Sequence, residues 1–209
     1  MRIADFPIPD TAAAHAALDL ADEYQSAAIT AHGVRSWLWA EGFARVGGLD
    51  GIDHELLYVS AVLHDIGTVV PFDNHTLSYE EAGGHVAIAL TAGAGWSRDR
   101  RRRALEVIIR HNWTSVDPQL DVEGHLLEIA TGLDISGSRA DVLPADFVRE
   151  VLATHPRGEL AAEFGACVTD QASRKPETAA RRLVDGGVLA KLAANPLEGV
   201  ARSGAGHNS

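Results

Sequence analysis

Four residues stand out by type and spacing: His32, the pair His64-Asp65, and Asp134. Each lies in an apolar run with helical spacing. An ionised carboxylate in such surroundings is costly unless a cation or a hydrogen-bond network compensates it. An isolated His-Asp pair would most simply be a satisfied structural pair at a helix end. One histidine, a His-Asp pair and a lone aspartate from three separate apolar helices instead make a ligand set suited to a metal. Imidazoles and carboxylates together favour zinc, iron, manganese or nickel over calcium or magnesium. With bonds of about 2.0–2.2 Å, such an ion would bring the pKa of bound water towards neutrality and supply a hydroxide nucleophile.

The elements that must position these residues read as helices. After an extended lead-in limited by Pro7 and Pro9, Asp10 or Thr11 can cap a first helix that ends near Asp22. A second runs from about Ser26 to Val46 and stops at Gly47-Gly48, with Ile29, His32, Ser36, Trp39 and Phe43 on one face. Arg35, one turn on from His32, is positioned to reach the same cavity as a substrate contact. Asp53 caps a third helix that carries His64-Asp65 and stops at Gly67. The loop 68–77 follows directly, and Phe72, Asp73, Asn74 and His75 are its candidates for shaping substrate access.

Ser78 and Glu81 form a capping box for a helix in which Ala82, His85 and Ala89 share a small-residue face. That face would leave room near His85, a second candidate substrate contact. Ser97 caps the next helix, whose arginine run 98–103 reads as a solvated face and whose His111 points to the core. After a loop over 112–121, a helix over 122–135 places Leu127, Ala130 and Asp134 in phase. Three further helices, about 144–154, 159–172 and 177–193, read as a cap that completes the core. This gives one domain over 1–196, with a metal-bearing core at about 25–140, and a frayed tail over 197–209 in which His207 carries no information.

Composition agrees with an all-α fold: 209 residues suffice for one sizeable core, and alternating strand-like runs are absent. The net charge of -11 argues against nucleic acid or an anionic membrane as partner, and leaves a small-molecule substrate. A single cysteine, Cys167, fits a reducing compartment. With no signal-peptide-like segment and no apolar run of spanning length, a cytoplasmic protein is the expectation. Oligomeric state stays open, a homodimer among the options.

The order His32, His64-Asp65, Asp134 resembles the HD-domain superfamily, over roughly residues 25–140. The resemblance implies an all-α HD-type helical bundle, here with additional C-terminal helices, in which these four residues hold the metal. A finer resemblance is to the cyanamide-hydratase-like branch. It rests on Ile29-Thr30-Ala31-His32-Gly33-Val34-Arg35-Ser36-Trp37-Leu38-Trp39, on Ile108-Ile109-Arg110-His111, and on Gly132-Leu133-Asp134-Ile135-Ser136-Gly137. The segment from Tyr79 to His85 departs from that branch's pattern.

This resemblance implies a zinc-dependent hydro-lyase that adds water to the nitrile of cyanamide to give urea. In that reading Asp65 orients the water and His111 shuttles a proton or holds the substrate. One divalent transition metal is expected, zinc first, with iron, nickel and manganese as alternatives. Three rivals remain at this level. A phosphohydrolase acting on a nucleotide or phosphate ester would need cations at the substrate, for which Arg35 and Arg110 are the candidates. A dinuclear oxygenase or phosphodiesterase would recruit His85 and His111 for a second metal. A metal-stabilised scaffold or sensor would have a closed coordination sphere.

Overall fold

Side-chain capping sets where the helices begin. The Thr11, Ser26, Asp53, Ser97 and Asp121 side chains each accept a hydrogen bond from the backbone N–H three residues on. The Glu81 carboxylate accepts from both the backbone N–H and the hydroxyl of Ser78, closing the predicted capping box. Each such cap stabilises its helix by about 1 kcal/mol. Two glycines in the left-handed conformation, Gly48 and Gly137, end the second and sixth helices.

The computed structural model of the protein describes residues 1–198 and 200. Among the described residues it is entirely helical: α1 (Ala12–Tyr24), α2 (Ala27–Gly47), α3 (His54–Leu63), α4 (Tyr79–Gly93), α5 (Arg98–Arg110), α6 (Val122–Ser136), α7 (Ala145–Thr154), α8 (Leu160–Arg174), α9 (Ala179–Asp185) and α10 (Val188–Ala193). Short 3-10 turns lie at Ile3–Asp5 and Ile66–Thr68. No described helix is long and apolar enough to cross a membrane.

Helices α2 and α3 form the centre, with α6 packed on α2, α1 and α5 on α3, and α4 paired with α5. The α2–α3 crossing is close because residue 33 is glycine: a Cβ there would meet the Ala61 carbonyl oxygen at 3.0 Å and Val62 Cα at 3.1 Å. That crossing brings His32 up to the end of α3. Gly67 does the same for the following turn, since a Cβ there would lie 2.1 Å from the Tyr79 carbonyl oxygen. The start of α4 is thereby seated against the His64-Asp65 segment.

Three sequence expectations change. His64-Asp65 does not continue α3; it occupies the break between α3 and the Ile66–Thr68 turn. The helix expected over 177–193 is two helices, because Gly186-Gly187 interrupts it and Gly187 has φ +76°. A second apolar cluster, including Ile29, Leu160, Phe164, Val188 and Leu192, fastens α8 and α10 to the start of α2. Leu197 and Glu198, expected in a frayed tail, are held instead: Leu197 is buried in the main core and Glu198 pairs with Arg157. His207 lies outside the described residues.

Candidate metal centre

His32 comes from the second turn of α2, His64 and Asp65 from the break after α3, and His111 from the C-terminal end of α5. All four are buried. Each ring is oriented through Nδ1. The Nδ1–H of His32 donates to Asp134 Oδ2 (2.7 Å), that of His64 to the Ala61 carbonyl (2.7 Å), and that of His111 to the Ile108 carbonyl. A carbonyl or ionised carboxylate only accepts, so in each neutral ring Nε2 carries the lone pair.

The His32 and His64 lone pairs face one another, with Nε2 atoms 3.1 Å apart. Asp65 Oδ2 lies 3.3 Å from His64 Nε2 and 3.6 Å from His32 Nε2. Neither Asp65 oxygen accepts a hydrogen bond of good geometry, although both are buried. Three converging acceptors repel unless a cation lies among them, either a shared proton or a metal. A tetrahedral ion with bonds of ~2.0–2.1 Å has its ligand atoms about 3.3 Å apart. The observed edges of 3.1, 3.3 and 3.6 Å match that spacing. The donor set His32, His64 and Asp65 therefore fits a metal ion.

The charge states follow from these neighbours. Burial works against an ionised Asp65, yet His64, with smaller help from His32 and His111, brings its carboxyl down to about 2. Burial likewise opposes a charged His64, but Asp65 and the Ala61 carbonyl outweigh it and raise the ring's pKa. Burial, reinforced by His64, lowers His111 to about 3 and keeps it neutral.

Asp134 does not join this cluster. It sits behind His32, on the Nδ1 side of the ring, and four donors saturate it. Oδ2 accepts from His32 Nδ1 (2.7 Å) and Arg35 Nη2 (2.8 Å), and Oδ1 from Arg35 Nε (2.9 Å) and Trp39 Nε1 (2.9 Å). Burial would raise its carboxyl, but Arg35 and His32 hold it well below the usual range. The predicted fourth ligand is thus a carboxylate that orients the His32 ring and raises its basicity. Arg35 is corrected with it. The guanidinium is fully buried, and its remaining contacts go to the His155 and Pro156 carbonyls (3.2 and 3.0 Å), so it is not a substrate contact.

The cluster forms the floor of a cavity of about 250 Å³. Tyr79 and Asn112 line it beside His111, and Phe164 and Ile135 add apolar wall. The Tyr79 phenol is fully buried and accepts from Asn112 Nδ2 (2.7 Å), which leaves its own proton free to donate. Burial, with Asp65 and Glu80 nearby, keeps that phenol protonated. The capping-box reading of Ser78 and Glu81 passed over Tyr79 between them. Trp113, Arg182 and Lys191 are exposed and define the mouth. The two cations come from α9 and α10, where no ligand-like spacing marked them.

The other predicted contacts lie elsewhere. Phe72 packs edge-on against Tyr24, with centroids 5.0 Å apart. Asn74 is a turn residue whose Oδ1 accepts from the N–H groups of Thr76 (2.8 Å) and Leu77 (2.9 Å). Their loop is tied to α8: Lys175 Nζ reaches Asp73 Oδ1 (2.8 Å) and the Asn74 and Leu77 carbonyls (2.9 and 3.0 Å). His75 is exposed. His85 is exposed as well, because α4 buries the stripe Tyr79, Gly83, Ala87 and Thr91, and Gly84 packs against Leu105. The small residues of α4 serve close packing, and His85 points away from it. The candidate phosphate contact Arg110 instead pairs with Asp121 and Glu106.

No family model matches the chain. Two curated proteins are similar to it, cyanamide hydratase DDI2 and cyanamide hydratase DDI3 of Saccharomyces cerevisiae. Each is 35% identical over 127 residues, which cover 60% of this chain and 56% of the relative. The chain thus spans a little over half the length of the curated relatives it matches.

Proposed function

We propose that this chain is a metal-dependent hydratase that adds water to a small nitrile, with cyanamide giving urea as the first reaction to test. The observation that carries this reading is the triangle of His32 Nε2, His64 Nε2 and Asp65 Oδ2 at the floor of a cavity, spaced for a tetrahedral ion. The similarity to two proteins named cyanamide hydratase supports the substrate class. A divalent ion held there, zinc first by its fit to nitrogen and oxygen donors, would supply hydroxide near neutral pH and polarise a nitrile.

The chain's own groups then have distinct tasks. Asp134 fixes the His32 ring with Nε2 facing inward. His111, neutral and held by Ile108, offers Nε2 as a hydrogen-bond acceptor that orients the attacking water. This is a narrower task than the proton shuttle expected from sequence. The Tyr79 O–H, with Asn112 donating to its oxygen, donates towards the nitrile nitrogen as charge develops there. A C–O bond forms at the nitrile carbon, one C≡N π bond opens, and the proton given up by the attacking water passes to the nitrogen, so that H and OH of one water are added. The resulting isourea tautomerises to urea.

The test is urea formation from cyanamide by the purified, zinc-supplemented protein, followed by carbon NMR. Wild type should produce urea, and His64→Ala and Asp65→Asn should each lose activity by roughly a hundredfold or more. Zinc-loaded wild type that leaves cyanamide intact would refute the assignment.

A further inference from the structure

The cavity is larger than cyanamide requires. Cyanamide has three non-hydrogen atoms, and even at water's ~30 Å³ share for each it would occupy about 90 Å³. The cavity holds about 250 Å³. The unused space leads away from the histidines towards Trp113, Arg182 and Lys191.

That mouth has a distinct chemistry. The chain contains two lysines in all and carries a net charge of -11. Lys175 is sealed beneath the 69–77 loop by Asp73 and two carbonyls. Lys191 stands at the mouth, and among the described residues neither it nor Arg182 makes a side-chain ion pair. Glu80, buried alongside Tyr79, feels the Arg182 charge, and Glu81 and Glu177 line a neighbouring pocket with Arg182 without pairing to it. Glu128, half-buried on the same wall, has Arg139 and His125 near it. Trp113, 51% exposed, lines the same cavity with the Arg110 guanidinium 5.4 Å over its ring, and its indole is suited to cover an apolar linker.

We infer that the cavity takes a substituted nitrile or cyanamide whose second end carries an acidic group, with Arg182 and Lys191 receiving that anion at the mouth. The reacting end is taken from the hydratase reading above, on which this inference rests. The tail does not depend on that reading, and carboxylate and phosphonate are its two chemical sources.

Calorimetric titration of the zinc-supplemented protein with N-carbamoylglycine, the product expected from a carboxylate-bearing cyanamide, tests the inference against urea, which lacks the tail. N-carbamoylglycine should bind at least tenfold more tightly than urea. Most of that gain should vanish in Arg182→Gln/Lys191→Gln and in 0.5 M salt, and Arg182→Lys should restore part of it to the Arg182→Gln variant. Ureidomethylphosphonate, run alongside, decides between the two acids. Both altered residues are exposed, so an unchanged melting temperature will verify the fold. Equal affinities for urea and N-carbamoylglycine, or a gain that survives the double substitution, would overturn the inference. If cyanamide is not hydrated while the tail-dependent gain persists, the reaction assignment fails and the anion site stands. If cyanamide is hydrated and the tail adds nothing, the reverse holds.

Discussion

Two buried aspartates on opposite sides of the His32 ring divide the interior into a finished region and an unfinished one. Asp134 receives four hydrogen bonds from His32, Arg35 and Trp39, and its backbone carbonyl accepts two more, from Arg157 and Asn195. Asp65, equally buried, accepts none of good geometry and faces two imidazole lone pairs. Burial penalises both carboxylates alike, so the difference lies in who compensates them. The protein completes Asp134 by itself. Asp65 is compensated chiefly by the charge of His64, with no hydrogen bond of good geometry to either oxygen, so it stays open to a further cation.

Breaking this contrast should give its largest effect in stability. Asp134→Ala strands the Arg35 guanidinium in the core, and loss of one partner of a buried pair costs about 3–5 kcal/mol. Asp65→Ala in metal-free protein at pH 8 should change stability by less than about 1 kcal/mol, because no donor is orphaned. Urea denaturation of the two variants measures the gap, and equal losses would contradict the division.

A smaller effect, on rate, sharpens the picture of the cavity side. Tyr79→Phe keeps the buried ring and removes one proton donor. Turnover of cyanamide should fall by roughly a hundredfold with bound zinc unchanged. A fall in zinc content instead would make Tyr79 a support of the metal site.

The smallest expected effect concerns a third acid that the protein completes, Asp73, which receives Gln171, Arg174 and Lys175. Burial raises its carboxyl, but these donors outweigh burial and lower it to about 2, from an ordinary 3.8. A folded-state pKa below the unfolded one means a contribution fully present above about pH 4 and lost as the pH falls towards 2. The stability difference between wild type and Asp73→Asn should therefore shrink over that window. A difference independent of pH would show that charge is not its source.

Much of this was legible in the sequence, and the gaps have physical causes. Ser26, Asp53, Ser78 and Ser97 declare helix starts because capping is local chemistry. The inward face of α2 is legible because Ile29, Trp39 and Phe43 are large and apolar. On α4 the residues are mostly alanine and glycine, which suit either face, and the phase of His85 could not be read from them. Asp134 was placed on the correct helix face, but which ring nitrogen of His32 it meets depends on where α6 crosses α2. Arg35 looked available because its carboxylate partner lies 99 residues away. Arg182 and Lys191 reach the mouth only through the packing of α9 and α10 on α8 and of α8 on α2, which no local pattern encodes.

The most direct test of the central claim is equilibrium dialysis of chelator-treated protein against zinc, with bound metal counted per chain. Wild type and His85→Ala should each bind one equivalent, and Asp65→Asn should bind none. Asp65→Asn retaining its zinc, or wild type taking up none, would contradict the claim that Asp65 is the carboxylate left for a metal.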